Sequence, residues 1–145
     1  MKWLQRFAAW LAAVAVTTLL ASILQTQFNL ARLAALGAAV SLDERLEVTT
    51  LDLANFAPVF GVLTLAAFLV AFLVTGLLRR WIVPRRAALY ALGGAVSILT
   101  MLLLMEAALD LVAIAAARNA GGFAVLVACG APGGWLFARL TRPRG

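Results

Sequence analysis

The sequence predicts an all-α integral membrane protein, a four-helix bundle with both termini on one side and helical extensions forming a small cap on the other. Three observations carry this. Of 145 residues 65% are hydrophobic and 12% charged, whereas an ordinary soluble domain is nearer half apolar. The chain holds four apolar runs of about 18 or more residues, each long enough to cross a hydrocarbon core roughly 30 Å thick. Its cations and its acids also segregate along the chain, as expected of loops on opposite sides of a bilayer.

The runs lie at about 7–24, 57–78, 87–108 and 122–138 in one membrane domain, with 25–56 as the long connection. They do not alternate with period two, so they are read as helices rather than barrel strands. The first, within "MKWLQRFAAWLAAVAVTTLLASILQ", begins like a secretory signal. Its apolar run is long and no small-x-small cleavage site follows, so it is expected to remain as the first span.

The connection is too long for a simple hairpin and too apolar for a flexible linker. "FNLARLAALGAAV" extends the first helix toward Gly37. "SLDE" and "TTLD" both match the pattern in which a hydroxyl and a carboxylate satisfy free amides at a helix start, and the second helix is expected to begin near Thr50. The third helix stays helix-compatible to Arg118, with Gly121 and Gly122 as its stop. It would then overshoot the fourth by about 22 Å at 1.5 Å per residue, and its apolar end would need cover from the first two helices.

Lys2 and Arg6, then Arg79, Arg80, Arg85 and Arg86 in "RRWIVPRR", then Arg139, Arg142 and Arg144 fall on one side with no acid among them. By the positive-inside rule this side, with both termini, is cytoplasmic. Arg outnumbers Lys eleven to one and Ala is abundant, a usage that fits a GC-rich bacterium and its inner membrane. The net charge of +6 therefore reads as topology, not nucleic-acid binding. The cluster at Arg79, Arg80, Arg85 and Arg86 is also suited to anionic head groups.

On the other side, polar residues of three helices fall in one stratum, about 27–39 Å above the basic edge at helical rise. They are Gln25, Gln27 and Asn29 on the first helix, Asp52 and Asn55 on the second, and Glu106 and Asp110 on the third. Glu106 and Asp110 share a helix face and call for a nearby cation, with Arg32 or Arg118 as candidates. Such a layer serves as an interhelical hydrogen-bond seam, as a site for a cation, proton or cationic solute, or as a dock for a partner's basic residue.

In the fourth run "ACGAPGGW" places Gly130 and Gly134 four apart, a spacing for close helix contact, with Gly93 and Gly94 as facing candidates. Pro132 should kink the helix at the Ala128 carbonyl. This surface serves internal packing, homo-oligomerisation or a hinge. The chain has no His and one Cys, which excludes imidazole metal and haem sites, His-based catalysis and intrachain disulfides, so no cofactor, metal or enzyme activity is expected. Cys129 reads as a small packing residue.

The expected role is a non-enzymatic accessory or assembly component of a membrane complex, working with a protein partner or as a homo-oligomer in the lipid bilayer. The alternative is a small oligomeric transporter or channel using Glu106 and Asp110.

Overall fold

A computed structural model describes residues 2–81, 85–109 and 114–142. In chain order these form α1 (Lys2–Ala35), α2 (Leu42–Leu78), α3 (Arg86–Leu109), a 3₁₀ turn at Ala115–Arg118, α4 (Ala120–Ala128) and α5 (Gly130–Leu140). Four stretches are long and apolar enough to cross a membrane: α1, α2, α3, and α4 with α5 taken together. Around the bundle, α1 neighbours α2 and α5, and α3 also neighbours α2 and α5, which closes a ring of four.

α1 has 34 residues and α2 has 37, so each rises about 50–55 Å, well beyond a hydrocarbon core of roughly 30 Å. A Schellman stop ends α1: Ala38 N donates to Leu33 O at 3.1 Å and Gly37 N to Ala34 O at 3.0 Å. This geometry puts Gly37 at φ +90°, where a side chain would be strained.

The second helix begins at Leu42, not near Thr50. Ser41 is extended and accepts from Glu44 N at 3.2 Å, while the Glu44 carboxylate accepts from Ser41 N at 2.7 Å. Of the two sequence matches, this one forms the cap. Thr49 lies inside the helix and donates to Arg45 O at 2.6 Å instead, an i−4 bond open to hydroxyls within helices.

The Ser41 amide, and then its hydroxyl, hold the Glu44 carboxyl below the usual carboxylate range. Folding therefore favours the ionised form, so the contribution is complete above the unfolded pKa and is lost as pH falls through the folded one. Amide protection of the first turn of α2 should exceed that of Glu44→Gln at neutral pH. The difference should disappear in acid, and a difference that persisted there would remove the carboxylate from the cap.

The predicted overshoot of the third helix to Arg118 is not present. Helix α3 is described to Leu109, and Ile114 is extended at φ −98°, ψ 119° ahead of the 3₁₀ turn. Ile114 is buried in the common core, and the turn packs on α1 and α4. Asp110, Leu111 and Val112 lie outside the described residues. Gly121 and Gly122, expected as a stop, sit in the first turn of α4, where Asn119 Oδ1 accepts from Gly122 N at 2.7 Å. Asparagine's short carbonyl makes it a strong N-cap, which the sequence reading overlooked.

The fourth span divides at Cys129, whose N–H bonds both Val125 O at 3.1 Å and Leu126 O at 3.2 Å. Pro132 has no N–H for Ala128 O, so the helix breaks one turn before it. In the core, Ala9, Ala13, Thr17 and Ala21 form a narrow buried stripe along α1. Phe60, Thr64, Phe68 and Phe72 form a bulky one on α2. Both repeat every four residues, the spacing of one helix face, and small residues on one helix admit large ones from the next.

Candidate functional site

Polar chemistry collects at the two ends of the bundle. At the outer end, α1 and α2 share a connected cluster. Thr26 Oγ1 lies 2.6 Å from an Asp52 carboxylate oxygen and 2.9 Å from Ser22 O, so its one proton serves two acceptors. Gln27 Nε2 donates to Thr49 Oγ1 at 3.3 Å, and Arg45 Nη1 donates to Gln27 Oε1 at 3.2 Å. These side chains meet because the two helices are antiparallel and capped just beyond, at Gly37 and Ser41.

Of the predicted layer, Gln27 and Asp52 are therefore brought together, with Gln25 buried beside them and its Oε1 without a hydrogen-bond partner. Asn29 is half-buried, and Asn55 is exposed and donates to Leu51 O in its own helix at 2.8 Å. Glu106 is not gathered in. The inward arc of α3 runs through Ile98, Met101 and Leu102 to half-buried Met105, which leaves Glu106 exposed. Asp110 lies outside the described residues.

Of the cations expected near Glu106 and Asp110, Arg32 is exposed in the last turn of α1 and Arg118 stands in the 3₁₀ turn, while Asp110 itself lies outside the described residues. The guanidinium that joins the α1–α2 cluster is that of Arg45, through Gln27. Thr26, Thr49 and Arg45 stand outside the predicted layer: Thr26 and Arg45 fall in the stretch 25–56 expected as a connection, and Thr49 is expected as a helix cap rather than as a partner of Gln27. Once the second helix starts at Leu42, Arg45 and Thr49 fall four apart on one face.

The glycine surface is internal. A Cβ on Gly94 would strike Gly130 O, and one on Gly134 would strike Tyr90 O, so α3 and α5 touch backbone to backbone. Gly93 does not face them; it packs on Thr75 of α2. Gly133, unremarked in the sequence, lies against Thr17, with Ala13 O and Phe68 close by. Pro132 is exposed on the far side of α5.

At the basic end a cleft of about 820 Å³ opens among α1, α2, α3 and α5. Its apolar wall includes Trp10, Leu69, Leu73, Phe72, Tyr90 and Phe137. Phe72 and Phe137 stack at 4.5 Å, and Tyr90 lies 5.2 Å from Phe137. Arg6, Arg79, Arg80 and Arg86 line its polar side. Arg86 also ties α3 to the end of α5 through Thr141, donating to Thr141 O at 2.8 Å and to its hydroxyl. Gln5 Nε2 donates to Leu140 O at 2.8 Å. Arg85 is exposed and does not line the cleft.

Four apolar helices in a closed ring, with exposed valine and leucine along their outer faces, define a multi-pass helical membrane protein in contact with the lipid bilayer. No protein-family model, curated protein or solved structure matches the chain.

Proposed function

We propose that the chain is a non-enzymatic component of a membrane complex in the bacterial inner membrane. The basic edge and both termini face the cytoplasm, and the α1–α2 hairpin stands in the periplasm as the cap. The reading rests on one observation: the hairpin presents leucines that no other element of the described chain covers. Leu36 is 84% exposed, Leu42 79% and Leu46 68%.

Their position gives this weight. Phe28 packs beside Gly121 at the start of α4, so α1 beyond Phe28 and α2 before Asp52 project past the fourth span by about 10–15 Å. A bilayer core roughly 30 Å thick counted from Phe7 ends near the Thr26–Asp52 cluster. Leucines beyond that height meet water, where contiguous apolar surface marks an interaction site. Asp43, Glu44 and Glu47 lie exposed among them, so a partner with an apolar face edged by cations fits best.

The transport alternative lacks comparable support, because Glu106 is exposed rather than directed inward. A photoreactive residue at Leu42 or Leu46 should crosslink in cells to a discrete protein of fixed mass. The same probe at Val62, a lipid-facing position of α2, should not. Crosslinks to lipid alone at all three sites would overturn the docking role.

A further inference from the structure

We propose that the cleft at the basic edge is a binding site for one anionic glycerophospholipid, its phosphate held by arginines and one acyl chain laid against the aromatic wall. The inference goes beyond hairpin docking. It depends only on the chain being in a bilayer with this edge at the head groups.

Charge is the first argument. Arg6 comes from α1, Arg79 and Arg80 from the end of α2, and Arg86 from α3; among the described residues no Asp or Glu lines the cleft. Three helices thus aim positive charge at one opening without an internal counter-ion, and guanidinium groups match phosphate oxygens in bidentate fashion. Two of these groups are held by aromatic faces: Arg6 lies 5.8 Å from the Trp3 ring centroid and Arg86 lies 5.5 Å from that of Tyr90. Such contacts limit the side-chain freedom lost on binding.

Shape is the second. The cleft volume of about 820 Å³ falls within the roughly 300–1,000 Å³ common for small-ligand sites, ample for a head group and part of one chain. Gly76 forms part of the wall beside Tyr90; a Cβ there would rest in ordinary contact at 3.4 Å from the Tyr90 hydroxyl, and a longer side chain would take up cleft volume. Unmet donors are the third. Trp10 Nε1 and Arg86 Nε are buried without a hydrogen-bond partner, and both residues line the cleft. Buried donors are ordinarily satisfied, and ester or phosphate oxygens are acceptors of the right kind.

A surface anchor of basic residues would attract any anionic lipid weakly and without saturation. The cleft instead predicts a single lipid per chain that needs both ends of the amphiphile. The test is native mass spectrometry of the full chain in mild detergent with added phosphatidylglycerol, phosphatidylcholine of the same acyl chains, or inorganic phosphate.

One phosphatidylglycerol should be retained per chain, about tenfold or more above phosphatidylcholine, and inorganic phosphate should not displace it. Arg79→Gln with Arg80→Gln should weaken retention about tenfold. Gly76→Leu, which leaves charge untouched and fills the wall, should weaken it to a similar degree. Arg139→Gln, at the same edge but outside the cleft, should leave it unchanged. Equal retention of the two lipids, or Gly76→Leu and Arg139→Gln both binding like wild type, would overturn the site.

Discussion

Gly134→Ala is expected to destabilise the folded bundle by roughly 1–3 kcal/mol, the range for forcing extra atoms into a packed interior. The added methyl would meet Tyr90 O, with the Tyr90 carbonyl carbon only 2.6 Å away. Backbone cannot step aside as a flexible side chain can, so α3 and α5 must separate. In a bilayer this interface has no hydrophobic driving force and relies on close packing, so separation removes most of what holds it. Gly121→Ala is the control. Its Cβ would rest 3.4 Å from Asn119 Oδ1 and 3.6 Å from Phe28, ordinary contacts, and its melting temperature in detergent should stay near wild type. Equal melting temperatures for the two variants would show that the α3–α5 contact is not close.

Phe68→Ala should cost still more, about 3–5 kcal/mol, as for other buried aromatics cut to alanine. Phe68 is 0% exposed; its ring lies 4.7 Å from Phe72 and it packs beside Gly133. Removing it opens a cavity where α1, α2 and α5 meet, and the lining residues lose their dispersion contacts. Val62→Ala on the outer face of α2 should be nearly neutral, because lipid is as apolar as the side chain it replaces. Reversible unfolding in mixed detergent reads both. A Val62→Ala loss matching that of Phe68→Ala would place α2 the wrong way round in the bundle.

The helical spans were legible because length and apolarity are properties of the chain alone, and the fourth-span break followed from Pro132 in the same way. Register was less legible. Counting from 7 at the start of the first span missed the pairing of Thr26 with Asp52, because α1 already runs from Lys2. Ser41 and Thr49 carry equivalent local signals; tertiary contact with α1 decides that Ser41 caps and Thr49 bonds Gln27. Glu106 falls in the same stratum as Gln27 and Asp52 by height, yet it is exposed, because height says nothing of which way a helix face points. The cleft was invisible for another reason. Arg6, Gly76, Tyr90 and Phe137 belong to four different helices, and no local pattern in a sequence joins them.

Orientation is the claim on which the periplasmic docking role depends, and cysteine labelling tests it most directly. In a Cys129→Ser background, Leu46→Cys in the hairpin and Trp81→Cys at the α2–α3 edge would each be treated with a membrane-impermeant maleimide on intact cells whose outer membrane has been permeabilised. The account predicts labelling at Leu46→Cys, and labelling at Trp81→Cys only after the inner membrane is opened. Labelling of Trp81→Cys in intact cells with Leu46→Cys protected would contradict it, placing the arginine edge outside and the leucine hairpin in the cytoplasm.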